Sequence, residues 1–425
     1  MGHALDLAKV RGVRVGAGTT GFPAGADLTI AEVAASGWTV FGDLVPPVVV
    51  LSEPALDHNL RLMARYCLDH EVFLAPHGKT TMAPQLWARQ LDEGAWGITA
   101  ATPVQARAMR AVGVPRIVLA DQLVDAGSIA WVAGELADPS FDFVCWVDSP
   151  RAVELLREGL AAAGAPRPLA VAVELGHRGG RAGCRTVEEA LEVAGLVAEA
   201  TELVLAGVAG YEGTVCSDRD PGCLAEVDGF LGGLRQLTLD LLHRGAFDAA
   251  GEAFVSAGGS AFFDRVVAVL GQGWPGEIRM RVVLRSGCYL THDHGVYERN
   301  SPLAEAPVGQ RFRSAFEAWG AVLSRPERDV AVVGLGKRDV PSDIDLPRPL
   351  RVRRGDGTVG EAPAMQVQRL MDQHAICTLD GADRLAVGDL VSFGISHPCT
   401  AFDRRRVIPI ADDEGRVIDA IVTMF

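Results

Sequence analysis

The chain has 425 residues, 48% hydrophobic and 22% charged, an ordinary globular balance and long enough for a domain of about 250 residues plus a smaller one. A formal net charge of −14 would repel nucleic acid or an acidic membrane surface, and no basic run with interleaved aromatics offsets it. A small metabolite is the expected partner. The N-terminal Met1-Gly2-His3-Ala4-Leu5-Asp6 lacks a cationic region followed by an apolar core, and no apolar stretch of about 18 uncharged residues could span a bilayer. Eight cysteines, at 67, 145, 184, 216, 223, 288, 377 and 399, show no framework spacing and read as reduced thiols in a cytoplasmic protein.

Residues 1–47 are Gly- and Thr-rich without a helical period and are expected to pack on a later β domain. Within 48–300, short apolar runs alternate with helix-like stretches. The strand candidates are Val72–Lys79, Trp96–Ala100, Ile117–Gln122, Phe143–Asp148, Leu169–Leu175, Leu203–Gly213, Ala253–Ser260 and Met280–Leu290. Their Val, Ile, Leu and Phe content suits strands covered on both faces. Helices are predicted at Pro103–Val112, Pro150–Ala162, Thr186–Ala198 and Cys223–Arg244, several opened by Thr, Ser or Asp before Pro or Glu. Eight such units predict an α/β fold, a (β/α)8 TIM barrel, with a doubly wound open sheet as the rival. Residues 301–425 change character. Six prolines punctuate strand candidates at Asp329–Gly334, Leu350–Arg354, His374–Leu379, Asp389–Gly394, Val407–Ile410 and Val417–Met424, with a hairpin loop at 411–416. This part is predicted to be a C-terminal β domain.

Polar groups gather at the carboxyl ends of the barrel strands: His77, Lys79, Gln122, Asp148, Arg181, Tyr211, Ser256–Ser260 and Arg285–Tyr289. That face of a barrel is where active sites form. Lys79 ends an apolar strand, and burial there would favour the neutral amine that Schiff-base chemistry needs; the alternative is a lysine capping a loop. The run Val255-Ser256-Ala257-Gly258-Gly259-Ser260 precedes a predicted helix, so its N–H groups and hydroxyls could cradle a phosphate, or simply form a tight turn. In Ile395-Ser396-His397-Pro398-Cys399-Thr400, His397 and Cys399 of an extended segment would share one face. Imidazole with thiolate suits Zn2+, although two donors do not complete a site.

Taken together these segments resemble the D-serine dehydratase/D-threonine aldolase family of fold type III, alanine-racemase-like enzymes, over roughly residues 45–410. The family lysine motif R-P-H-x-K-T-H-K is similar to Ala75-Pro76-His77-Gly78-Lys79-Thr80-Thr81-Met82, which departs from it at Ala75, Thr81 and Met82. Glu174-Leu175-Gly176-His177-Arg178-Gly179-Gly180-Arg181-Ala182-Gly183 resembles E-x-D-x-G-x-G-R-x-G, and Leu284-Arg285-Ser286-Gly287-Cys288-Tyr289 resembles L-R-P-G-x-Y. Gly210-Tyr211-Glu212-Gly213 looks like the segment whose tyrosine lies against the cofactor, and Met371-Asp372-Gln373-His374 is a weakened E-E-H stretch.

The resemblance implies pyridoxal 5'-phosphate bound to Lys79 as a Schiff base. It implies Arg181 at the ring's phenolate oxygen, with Tyr211 and Tyr289 as neighbours. Ser256, Gly258, Gly259 and Ser260 would hold the phosphate. Dehydratases of the family carry H-x-C and bind zinc, whereas its aldolases carry H-x-D, so His397 and Cys399 imply a zinc-dependent dehydratase acting on a β-hydroxy D-amino acid. The rivals are a D-threonine aldolase-type retro-aldol reaction and a non-catalytic, PLP-binding homeostasis protein. Family analogy also implies a homodimer.

Overall fold

Each barrel strand is a short run of Val, Ile, Leu, Ala and Phe closed by a polar turn, so the chain extends where both faces can be covered and bends where they cannot. In the computed structural model, which describes residues 5–276, 278–380 and 385–425, these strands are β1 (Phe73–Leu74), β2 (Ile98–Ala100), β3 (Arg116–Gln122), β4 (Asp142–Val147), β5 (Leu169–Leu175), β6 (Leu203–Gly210), β7 (Glu252–Ala257) and β8 (Arg279–Leu284). They form one parallel sheet in the order β1-β8-β7-β6-β5-β4-β3-β2. The registers run through Val255↔Val282 and Val173↔Val208.

The two ends of that order also meet. Trp96 N–H donates to Leu74 O at 2.7 Å, Thr99 N–H to Pro76 O at 2.9 Å, and His77 bridges Thr99 in parallel. The sheet is closed, which rules out the doubly wound alternative. Ala75, Val118, Val144, Trp146, Ala172, Ala209, Phe254 and Val283 fill its interior, so the barrel is a packed core.

The crossover helices start where their sequence signals place them. Thr102, Ser149, Thr186 and Asp220 each cap the first turn of a helix, and these run over Pro103–Ala111, Pro150–Ala163, Val187–Glu199 and Pro221–His243. Proline at the first helical position supports three of the four, because its missing N–H is not needed there.

The chain forms two compact units. The first, residues 63–79 and 90–287, holds the barrel. The second comprises residues 6–62, 80–89 and 288–425. Its main sheet orders the strands Val359–Glu361, Arg348–Arg353, Leu390–Gly394, Phe316–Glu327, Val330–Val333, Ala375–Leu379 and Met365–Leu370. Val48–Ser52 lies antiparallel to Phe316–Glu327 and parallel to Val407–Ala411, which makes a hairpin with Val417–Val422.

The domain bounds therefore differ from those expected at 48 and 300. Val48–Ser52 falls inside the expected barrel bounds, but its backbone groups pair with strands of the second unit. Val15, Phe22, Ile30 and Val33 share a core with Trp319, Val407 and Ala420. A second correction concerns the cysteines. Cys216 and Cys223 form a disulfide across seven residues, with Cα atoms 5.6 Å apart, a separation such a bond bridges readily. No helix among the described residues is long and apolar enough to cross a membrane.

Candidate active site

Strand ends of the first unit bring together three of the residues singled out for chemistry, His77, Lys79 and Arg181. Lys79 sits in the single turn Gly78–Thr80 that follows β1, and it is only half-buried. It lines a cavity of about 150 Å³ with His77, Ala101, Ala120, Asp121, Glu174, Arg181 and Ala182. Arg181, in the loop after β5, lays its guanidinium over the ring of Tyr211, 4.5 Å from the centroid. Amine, guanidinium and imidazole thus line one cavity.

Burial pushes the His77 imidazole well below its ordinary 6.5, and the positive charges of Lys79, Arg285 and Arg181 push it the same way. His77 is therefore neutral, and its Nδ1 is a buried atom without a partner. Glu174 on β5 is buried, and that burial raises its carboxyl pKa, while Gln122 donates to its Oε2 at 2.6 Å. Arg285, after β8, is 4% exposed; it donates to Ser256 Oγ at 2.6 Å and to Gly210 O at 2.7 Å. Burial lowers its pKa, and the nearby carboxylates of Glu212 and Glu174 offset part of that.

The loop after β7 does grip an anion, but the anion is internal. Gly258 N–H donates to Glu212 Oε2 at 3.0 Å and Gly259 N–H to Oε1 at 2.5 Å. Gly258 holds φ of +99°, and a Cβ at Gly259 would stand 2.9 Å from Tyr211 Cε2, so both positions require glycine. Two sets of contacts bear on the phosphate roles expected of this loop. Both glycine N–H groups are bonded to the Glu212 carboxylate. Ser256 donates its only proton to Val283 O at 2.9 Å and accepts from Arg285, so it offers no donor to a ligand. Ser260 stands at the outer end of the loop, partly exposed. Tyr289 is not gathered into this cavity; it belongs to the second unit, where its ring lies 5.9 Å from that of Phe312.

The second unit carries the His-x-Cys pair. The segment is not extended as expected, because His397 adopts φ of +77° and Pro398–Thr400 form a single tight turn. Proline fixes that turn, and the strained histidine is held by its N–H, which donates to the buried carboxylate of Asp293 at 3.1 Å. His397 and Cys399 nevertheless face each other and are hydrogen-bonded. Asp343 Oδ2 lies 2.6 Å from His397 Nδ1, and Thr400 donates to Asp343 Oδ1 at 2.9 Å.

Cys399 Sγ lies 3.3 Å from Thr80 Oγ1 and 3.6 Å from Cys288 Sγ. The hydrogen bond with Cys399, then that with Asp343, raises His397 to about 9. The contact with Cys288 first, then His397 and Thr80, holds the Cys399 thiol well below its ordinary range. Among the described residues no three His, Cys, Asp or Glu side chains are grouped so as to hold a metal. The donors that are present suit a soft divalent ion: a thiolate beside an imidazole whose other nitrogen is oriented by a carboxylate.

Glu212, Asp343 and Cys288 were not singled out from the sequence as site residues. Glu212 and Cys288 lie inside the quoted family segments, adjacent to Tyr211 and Tyr289, so their neighbours were the available signal. Asp343 lies 54 residues before His397 with no motif spacing to mark it.

A model described as an alanine racemase N-terminal domain matches residues 51–258, and one described as a putative serine dehydratase domain matches residues 315–411. Between them they span the greater part of the chain. A D-threonine aldolase from Arthrobacter sp. is 26% identical over 364 residues, 84% of this chain and 86% of that protein. Among solved structures, D-threonine aldolase from Filomicrobium marinum superposes with a TM-score of 0.74 at 23% identity, covering 89% of this chain and 95% of that one. D-threo-3-hydroxyaspartate dehydratase from Delftia sp. HT23 superposes with a TM-score of 0.70 at 19% identity, covering 90% and 98%. Barrel, strand-end lysine and downstream β domain agree with both domain matches, and the chain belongs to the D-serine dehydratase/D-threonine aldolase-like family of fold type III enzymes.

Proposed function

We propose that this chain is a lyase that uses pyridoxal phosphate and zinc to eliminate water from a β-hydroxy D-amino acid, giving ammonia and a 2-oxo acid. The observation that carries this reading is the His397–Cys399 pair, whose thiol is held well below its ordinary range, where the resemblance implies a carboxylate for the family's aldolases. Sulfur favours zinc over the harder ions that prefer oxygen.

Lys79 would hold the cofactor, whose conjugated ring delocalises the electron pair left at the substrate's α-carbon. The Lys79 amine would also be the base that takes the α-proton. Arg181, which lies over the ring of Tyr211, would present a permanent cation to the cofactor's ring oxygen. His77, neutral and with Nδ1 unpartnered, offers an uncharged polar contact in the same cavity. The phosphate would compete with the Glu212 carboxylate for the N–H groups of Gly258 and Gly259. His397 and Cys399 would hold zinc, which as a Lewis acid supplies the polarisation that eases loss of the β-hydroxyl. Asp343 keeps the His397 ring in position. The same reading takes the enzyme to be a cytoplasmic homodimer.

A second reading is retro-aldol cleavage to glycine and an aldehyde, favoured by the 26% identity with the Arthrobacter aldolase over most of both chains. One assay separates the two. A panel of β-hydroxy D-amino acids is offered to the purified protein with and without added zinc. Ammonia with 2-oxo acid supports the dehydratase; glycine with aldehyde overturns it in favour of the aldolase.

A further inference from the structure

Six cysteines stand outside the Cys216–Cys223 disulfide, and they fall into two kinds. Cys67, Cys145, Cys184 and Cys377 are buried, and burial pushes each of their thiols up to about 12, so they are poor nucleophiles. Cys288 and Cys399 are both partly exposed, and their sulfurs lie 3.6 Å apart although 111 residues separate them in sequence. Each opens or occupies a single short turn, Cys288–Leu290 and Pro398–Thr400, so neither backbone is locked into a long helix. Thr80 Oγ1 contacts the Cys399 sulfur from another side at 3.3 Å. Two sulfurs 3.6 Å apart, on residues that are each partly exposed, need only a modest side-chain rotation to reach the roughly 2.05 Å of a disulfide bond.

We propose that Cys288 and Cys399 are a site of reversible oxidative modification, joined as a disulfide by a two-electron oxidant of the peroxide class. The sulfur of one cysteine attacks a peroxide oxygen, the O–O bond breaks, and the departing hydroxide takes a proton to become water. The sulfenic acid so formed is attacked by the second sulfur; its S–O bond breaks and a second water leaves. Two thiols lose two hydrogens and the peroxide is reduced to two waters. A thiol-disulfide exchange with an external dithiol reverses the change.

The consequence rests on the zinc reading above: the disulfide removes Cys399 from the donors available to a metal, so metal binding and oxidation exclude each other.

The test uses the full-length, metal-free protein treated with hydrogen peroxide, alkylated, digested and mapped by mass spectrometry. The expected product is a peptide pair linked through Cys288 and Cys399, lighter by two hydrogens, with the Cys216–Cys223 link unchanged as an internal reference. In Cys288→Ser the link is lost and Cys399 accumulates as sulfenic acid or beyond. Prior saturation with zinc should slow the linkage by about ten-fold or more, because a metal-bound thiolate is no longer a free nucleophile. If both cysteines alkylate freely after peroxide, or oxidise separately without linking, the proposal is overturned. If they link at the same rate with and without zinc, the disulfide stands and the assignment of Cys399 as a zinc donor fails.

Discussion

Asp343 Oδ2 lies 2.6 Å from Nδ1 of His397, which leaves Nε2 as the nitrogen free of that carboxylate. Metal-binding histidines characteristically donate their second ring N–H to a carboxylate, which fixes the tautomer and the ring plane. Thr400 fixes the carboxylate in turn through its other oxygen. Asp343→Asn should therefore weaken zinc binding by about 10- to 100-fold, read by competition against a chromogenic chelator. Because the imidazole is raised to about 9 in the metal-free chain, by the Cys399 hydrogen bond first and Asp343 second, zinc must displace a proton. Apparent affinity should climb from neutrality towards that pH. Equal zinc affinity in Asp343→Asn and the parent protein would remove Asp343 from any positioning role.

Lys79 shares its cavity with Arg181 and His77, and among the described residues lining it Lys79 alone offers a primary amine to an aldehyde. Lys79→Ala should not develop the visible absorbance of a lysine-bound cofactor, and turnover should fall by at least about 10³-fold, as expected when a covalent anchor and base is deleted. Far-ultraviolet circular dichroism should be unchanged, since a half-buried lysine leaves little unfilled volume. Persistence of the absorbance in Lys79→Ala would show that the cofactor is held by another amine.

The barrel was legible because its signals are local. Eight apolar runs with capped helices between them need no long-range information, and the observed helix starts lie within two residues of those expected. Closure was not legible: it depends on Trp96 and Thr99 bonding across to Leu74 and Pro76, a pairing no periodicity announces. The β domain was harder. Its longest strand, Phe316–Glu327, was missed because Gly320 and Pro326 interrupt the run, and the structure accommodates them with register shifts at Val322, Ser324 and Glu327. Val48–Ser52 reads as a buried strand in either unit, and only tertiary pairing decides between them. Within the site, the motifs drew attention to His77, Lys79 and Arg181, which share a cavity, whereas Asp343 reaches His397 through a distant loop and left no trace in spacing. The glycine loop was recognised as an anion cradle, but which anion it grips could not be read from composition.

Glu212 is fully buried and holds both Gly258 and Gly259 N–H groups, while its charge compensates the buried Arg285. Glu212→Ala leaves those donors unpaired beside an under-compensated guanidinium, and should cost about 2–5 kcal/mol, measured by urea unfolding. Glu212→Gln keeps an acceptor oxygen and should cost less. It also removes the negative charge that a phosphate would have to displace. The stabilisation conferred by added pyridoxal phosphate should therefore be greater in Glu212→Gln than in the parent. A smaller ligand-induced stabilisation in the glutamine variant would show that Glu212 supports the phosphate and does not compete with it.

His294 links local burial to a pH-dependent stability. Burial lowers its pKa from 6.5 to about 4, and the His292 ring, Arg348 and Arg351 push the same way, whereas Asp293 opposes them. Its Nδ1 is buried without a partner, so protonation in the folded state has no hydrogen bond to reward it. Between 6.5 and 4 the unfolded chain takes up a proton that the folded chain refuses, so stability must fall as pH falls through this window. The shift is equivalent to about 3 kcal/mol at full effect, an order-of-magnitude figure at roughly 1.4 kcal/mol per pH unit. His292, also lowered by burial, adds to the same trend. His294→Gln cannot take up that proton, so its loss of stability between about pH 7 and about pH 4.5 should be visibly shallower than the parent's in urea titrations. Parallel curves for the two proteins would mean that the acid sensitivity of this unit arises elsewhere.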